Sequence, residues 1–300
     1  PPPPRDAPVA EEPRIRWSLG LKTTLLLLTT VLAMVLLLYL PLRHVVVKSY
    51  LDLERREAER NLDRARNVID DELRSLSRSA LDYGAWDDSH AWLRGDLPAF
   101  PAVNLFDDTF TNQGWSALVV LDRNGNRYFD KGFDLSRQQG QRTPPALIEA
   151  ARKLGPGLNR RHEELHGVVD AGAHPALVAA HAVLPSVAHT DTERAGVWFV
   201  ARVLDPHAVT RLSELTKLLL EIRRHDGREA PAPADIVVLD DDRMIARAPL
   251  LGPGGEVTAV LEVTLDRALA REGRRNAGAL LLVLMVAGLV LTLAIRMSLR

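Results

Sequence analysis

LDYGAWDDSHAW, residues 81–92, gathers three aspartates, two tryptophans, a tyrosine and a histidine in a chain otherwise rich in alanine, leucine and arginine. The periods on either side decide how it is read. Upstream, Ala58, Leu62, Ala65, Ile69, Leu73, Leu76 and Ala80 follow at steps of three or four, an apolar stripe at helical spacing. Glu57, Glu59, Arg60, Asp63, Arg64 and Arg66 lie between them, mixing attractive and repulsive neighbours on the outer face. The stripe predicts one long helix over residues 43–80. It is expected to bury against the chain's own sheet and, nearest the preceding apolar run, against a second copy. A purely intramolecular helix is the alternative.

Downstream, from Ser116, the period shortens to two. SALVVLD, RNGN and RYFD (116–130) read as strand, turn and strand, with Asn124-Gly125 as the hairpin signal. Further strands are expected at 176–183, 196–204, 236–240 and 256–264. Helices are expected at 144–154 and 205–224, the second opened by Asp205-Pro206 as cap and first helical residue. REAPAPAD (228–235) reads as a linker. LVVLD (118–122) returns as IVVLD (236–240), a short trace of duplication. Strands separated by helices and long loops indicate a mixed α+β domain.

Two charge-free apolar runs bracket this domain, at residues 23–42 and 277–295. Each has about the 20 residues a helix needs to cross a bilayer core. The first exceeds the apolar stretch of a signal peptide and lacks a small-residue cleavage site, so it reads as a retained anchor. Arg14, Arg16 and Lys22 precede the first run and Arg296 and Arg300 follow the second, against Arg43, Lys48, Arg274 and Arg275 on the intervening side. The middle segment is long enough to translocate despite its charges, so both ends are expected on the cytoplasmic side. The expected organisation is a disordered Pro-rich leader (1–16), a transmembrane helix (17–42), an extracytoplasmic domain (43–275), a second transmembrane helix (276–296) and the start of a cytoplasmic linker (297–300). That is the plan of a multi-pass receptor of a bacterial inner membrane. A formal net charge of -1 gives no reason to expect nucleic acid as a partner, and the absence of cysteine excludes disulfides and thiolate metal sites.

No P-loop, nucleophile elbow, kinase or cyclase signature occurs in these 300 residues, so no catalytic residue, metal ligand or cofactor is expected. HEELH (162–166) has the spacing of a zinc peptidase motif. That chemistry needs both histidines on one helical face, and the flanking Gly155-Pro156-Gly157 and Gly167 argue for a surface loop instead. DRNGN (122–126) and DDD (240–242) read as turns. The opening stretch remains. On a helix, Tyr83, Asp87 and His90 share a face at i, i+4 and i+7, with Trp86 adjoining. An aromatic wall beside carboxylates suits a cationic or amine-bearing ligand. The competing reading makes the aromatics a clasp that pins the long helix to the sheet, with the acids capping turns. The candidate ligand site is Tyr83, Trp86, Asp87 and His90, with Asn104 and Asp107 from the next loop.

Asp82-Tyr83-x-x-Trp86-Asp87-Asp88, then Asn104-Leu105-x-Asp107-x-Thr109-Phe110, then LVVLD-x-x-G resemble the fourth type of CHASE domain, an extracytoplasmic sensor. The similarity covers about residues 50–204, with Lys131-Gly132-Phe133-Asp134 after the hairpin; beyond it, Arg211-Leu-Ser-Glu-Leu-Thr216 follows the last shared strand. The chain departs from the pattern at His90, where an aromatic is more usual, and at HEELH. The resemblance implies a membrane receptor whose folding unit is a Cache/PAS-like sensor domain, α+β, here with the long N-terminal helix that the stripe predicts. It implies an output module beyond Arg300, a histidine kinase ahead of a diguanylate cyclase or phosphodiesterase, and it names no ligand. The partners expected are a small-molecule or envelope ligand and, from the stripe, a second copy in a homodimer. A zinc ectopeptidase acting through HEELH and a ligand-free mechanical sensor are the rival readings.

Overall fold

The computed structural model describes residues 19–158, 164–186, 194–227 and 230–298. The helix that the stripe predicts is continuous with the first apolar run and reaches a few residues past Ala80: α1 runs from Leu19 to Gly84, with Pro41 inside it. Three short helices follow, α2 (Asp87–Arg94), α3 (Phe100–Asn104) and α4 (Asp107–Gln113). Next come β1 (Ala117–Asp122), β2 (Arg127–Asp134), β3 (Gln139–Gln141), α5 (Pro145–Leu154), β4 (Glu164–Asp170), β5 (Pro175–Val183) and β6 (Gly196–Val203). These six strands form one antiparallel sheet in the order β3-β2-β1-β6-β5-β4. Helix α6 (Pro206–Thr216) leads to β7 (Leu219–Arg224), β8 (Asp235–Val238), β9 (Arg243–Leu251) and β10 (Val257–Asp266). They form a second antiparallel sheet, ordered β7-β10-β9-β8, and α7 (Ala268–Ser298) ends the described chain.

Two compact units result, one made of residues 54–267 and the other of the flanking segments. In the first, side chains alternate across the six-stranded sheet as the pleat requires. Leu118, Val120, Leu177, Ala179, Trp198 and Val200 join a core with α1 and the second sheet. Their neighbours Ala117, Val119, Ala176, Val178, Phe199 and Ala201 join another core under Leu147 and Ala151 of α5. All seven stripe residues from Ala58 to Ala80 lie in the first core, so burying them needs no second copy.

In the other unit, α7 and the first part of α1 meet through small residues, which let helix backbones approach closely. A Cβ on Gly288 would come within 2.8 Å of Val31 Cγ1. Asn276 Nδ2 donates to Tyr50 Oη at 2.8 Å. Away from this seam the leucines face outward, as Leu37 (75% exposed) and Leu282 (66%) do. Both helices are long and apolar enough to cross a membrane.

Four expectations change. The helix over 205–224 stops at Thr216, because Lys217 takes a left-handed φ of 58° and Leu219–Arg224 pairs with β10. The apolar run around Leu218 suits either structure locally, and the available sheet edge decides it. HEELH is not a surface loop throughout: Glu164–Asp170 is β4, while His162 and Glu163 lie outside the described residues. A strand turns successive side chains to opposite faces, so Glu164–His166 lacks the helical face that zinc chemistry needs. The two VVLD segments do not occupy equivalent places, since β1 is central and buried whereas β8 is a half-exposed edge. Strand β9 was not anticipated at all. Of the linker, residues 228 and 229 lie outside the described residues, and Asp235 already belongs to β8.

Candidate functional site

Asn124-Gly125 closes the β1–β2 turn as its sequence requires. Gly125 takes φ +83°, a conformation that side chains with a Cβ rarely adopt. Asp122 braces the turn: Oδ1 accepts the backbone N–H of Asn124 and of Asn126, both at 2.8 Å, and Oδ2 accepts from Asn126 Nδ2 at 3.2 Å. Helix α1 ends beside β5, where the Leu184 N–H donates to the Gly84 carbonyl. The chain then extends through Trp86 and starts α2 at Asp87.

The six residues named from the sequence fall into four places. Tyr83 and Trp86 belong to an aromatic cluster. The Tyr83 ring lies 4.6 Å from that of Trp86, 4.9 Å from Trp115 and 5.5 Å from Trp198. Burial, with a lesser push from Asp82, raises the Tyr83 phenol above its ordinary value and keeps it neutral. Trp92 extends the cluster to Phe100, Tyr128 and Phe129. Trp115 Nε1 donates to Ser79 Oγ at 2.9 Å, which fastens the cluster to α1. Asp87 grips a neighbouring loop, accepting the Ser186 N–H and hydroxyl, both at 2.7 Å.

Asn104 and Asp107 stand in the α3–α4 turn. The Asn104 amide donates to the Phe100 carbonyl, and Thr109 Oγ1 donates to the Asn104 carbonyl. Asp107 pairs with Lys131 Nζ at 2.7 Å. That ammonium also donates to the Leu105 carbonyl and lies 4.8 Å from the centre of the Phe110 ring. Of the six, His90 alone lines a wide cleft, a space of about 940 Å³. Arg94, Asp122, Arg123, Tyr128 and Arg194 line it with His90. Sequence reasoning named none of these five as site residues. They come from separate segments, and no spacing in the chain announces that they meet.

Two buried ion pairs connect α1 with the sheets inside the unit of residues 54–267. Glu72 accepts from Arg202 of β6 and, at 2.9 Å, from Arg211 of α6. Arg202 also donates to the carbonyls of Gly114 and Gln113, which secures the end of α4. Burial, with Arg211 nearby, lowers the Arg202 guanidinium from its ordinary value to about 10, so it remains charged at neutral pH. Arg267, just after β10, pairs with Glu54 at 3.2 Å and donates to the Asp240 carbonyl. Among the described residues no group of three or more His, Asp or Glu side chains is placed to hold a metal ion.

Residues 68–223, just over half of the chain, match the CHASE4 domain family. The methanogenesis regulatory histidine kinase FilI of Methanothrix harundinacea (strain 6Ac) is 25% identical over 261 residues. That alignment covers 83% of this chain and 29% of the relative, so the chain spans under a third of that protein's length. Among solved structures, the extracellular domain of vpHK1S-Z8, assigned as a histidine kinase, has a TM-score of 0.50 at 13% identity. It covers 76% of this chain and 95% of its own. The periplasmic domain of Vibrio cholerae LuxQ gives a TM-score of 0.45 at 9% identity, over 70% of this chain and 99% of its own. With a Cache/PAS-like α+β fold and a match over more than half its length, the chain belongs to the CHASE4 family.

Proposed function

We propose that this chain is the input half of a membrane receptor, sensing an extracytoplasmic signal and passing it to an output domain beyond Arg300. The observation that carries this reading is the span of α1. Its 66 residues hold both the charge-free apolar run and the stripe that closes the sensor core, in one helix. A helix is stiff enough to transmit a small shift along its length. Residues 17–42 and 276–296 are the expected spans of a multi-pass inner-membrane protein, with residues 43–275 outside and the terminal segments in the cytoplasm. The kinship with FilI favours a histidine kinase over a cyclase as the output. Pairing of two copies along α1 belongs to the same reading, since Val45, Leu51 and Leu53 remain exposed there.

Alkaline phosphatase fusions test the topology. A fusion at the exposed turn of residues 136–138 is expected to be active, and one after Arg300 inactive. The opposite pattern overturns the reading. For coupling, Gly288→Leu in the full-length receptor drives a side chain into Val31 and is expected to uncouple output from input while the sensor unit stays folded. Among the six sequence-named residues, His90 keeps the role of ligand contact in this proposal. Tyr83, Trp86, Asp87, Asn104 and Asp107 hold the walls around it.

A further inference from the structure

We infer that the cleft between α2 and the β1–β2 turn binds a small oxyanion, through a carboxylate or phosphate group held by arginine side chains. The inference rests on the sensor reading, for which it supplies the class of ligand.

The charge of the lining carries the argument. Among the described residues, three arginines, Arg94, Arg123 and Arg194, line the cleft together with one acidic residue, Asp122. Both oxygens of that carboxylate are already engaged by Asn124 and Asn126 in the turn, which leaves it poorly placed to accept a cationic ligand. Tyr128 is the one aromatic residue lining the cleft among the described residues, and the other rings of the cluster are engaged elsewhere. Tyr83 and Trp86 face one another, and Trp92 is buried in contact with Phe100 and Phe129.

The three arginines have different amounts of freedom. Arg194 is structural as well as positive: it donates to the carbonyls of Leu158 at 2.6 Å and Arg123 at 3.1 Å. That fixes its charge at the mouth of the cleft. Among the described residues Arg94 pairs only with Asp96, at 3.7 Å, with both side chains two-thirds exposed, a weak competitor. The Arg123 side chain makes no hydrogen bond or ion pair among the described residues. An oxyanion entering here therefore meets two guanidinium forks free to close on it, and such forks match carboxylate and phosphate oxygens two at a time. Tyr128, anchored by its hydroxyl to the Trp92 carbonyl, links the cleft wall to the aromatic cluster and so to α1. The cleft's volume suits a metabolite-sized ligand, for which pockets run to roughly 300–1,000 Å³.

The test is calorimetric titration of the purified 300-residue chain in detergent. Acetate, malonate, citrate and inorganic phosphate serve as oxyanion probes, with ethanolamine as a cationic and glucose as a neutral control. At least one oxyanion is expected to bind saturably and more weakly as salt rises. Arg123→Ala and Arg94→Ala, both at exposed side chains, are each expected to weaken that binding about tenfold or more. Arg123→Lys, which keeps the charge and loses the fork, is expected to fall between. Arg137→Ala, outside the cleft, should leave the affinity unchanged. Preference for citrate and malonate over phosphate identifies a carboxylate ligand; the reverse identifies a phosphorylated one.

Saturable binding by none of the oxyanions at millimolar concentration overturns the inference. So does binding that Arg123→Ala leaves intact, or binding of ethanolamine alone. None of these results touches the topology that defines the receptor reading. Conversely, oxyanion binding without any change in the output of the full-length receptor upholds the site and removes the sensing role.

Discussion

The two sheets of the sensor unit are built to different standards of burial, and each is fastened to α1 by its own arginine. The six-stranded sheet is covered on both faces, by α1 on one side and α5 on the other, and every residue of β5 is buried. The four-stranded sheet alternates: Met244, Ala246, Ala248 and Leu250 of β9 point inward while their neighbours are half-exposed. Arg202 joins the first sheet to Glu72, and Arg267, where the second sheet ends, joins Glu54. The doubly covered sheet carries the turn and cleft where a ligand would enter. The singly covered one ends where α7 begins. Double and single coverage are thus separated between two sheets that share one helix.

The largest effect is expected at the junction of cluster and sheet. Trp198→Ala removes a fully buried ring in contact with Tyr83, Trp92, Phe100 and Trp115. It should cost about 3–5 kcal/mol in denaturant unfolding, enough to leave the sensor unit marginal. Next comes a matched pair, Leu118→Ala in the doubly covered sheet and Leu261→Ala in the other, both at fully buried positions. The expected costs are about 4 and about 3 kcal/mol, because a site walled on both faces collapses less readily onto a cavity. Equal costs would break the comparison.

Glu72→Gln should cost about 3 kcal/mol, since it strands the buried Arg202 without its counter-charge. Glu54→Gln should do the same to Arg267 and Asp240 at the exit. The double change Glu72→Leu with Arg202→Met is expected to recover most of the first loss, because an apolar pair leaves no uncompensated charge. If Glu72→Gln alone is neutral, the clamp is not one.

The local part of the fold is legible in the chain, but the division into two sheets is not. The stripe from Ala58 to Ala80 announces α1, and Asn124-Gly125 with its flanking alternation announces the hairpin. Strand β9 was illegible for a physical reason. Its inward residues include two alanines and its outward ones two arginines and a proline, a composition with low strand propensity that pairing with β10 overrides. The helix over 205–224 failed where Leu219–Arg224 found the same partner. In the site, the local part of LDYGAWDDSHAW was readable: an aromatic clasp with acids bracing turns and loops. Its partners were not. Trp115 and Trp198 lie far along the chain, and the cleft is assembled from α2, the β1–β2 turn and the start of β6. Contacts across such separations depend on sheet order, which no motif in the sequence encodes.

The smallest expected effect sharpens the comparison at two turns. Asp134 Oδ1 accepts the Ser136 hydroxyl at 2.6 Å and the backbone N–H groups of Ser136 and Arg137, in the first sheet. Asp240 Oδ1 accepts the N–H groups of Asp242 and Arg243 in the second, and Arg243 reaches its other oxygen. Both carboxyls are held below their ordinary 3.8, Asp134 chiefly by the Ser136 hydroxyl and Asp240 chiefly by the Asp242 N–H. A depressed carboxyl pKa contributes stability that is complete above 3.8 and lost as pH falls through the lower folded value. Both turns should therefore loosen only in that acid window, and by little, since both groups are exposed to solvent. Ser136→Ala removes the main cause at one turn and none at the other. Unfolding midpoints measured from neutral pH down through that window should lose the Asp134 share of the acid dependence and keep the Asp240 share, which Asp240→Asn then removes. If Ser136→Ala leaves the whole acid profile unchanged, the hydroxyl does not hold Asp134, and the two turns differ in sequence but not in kind.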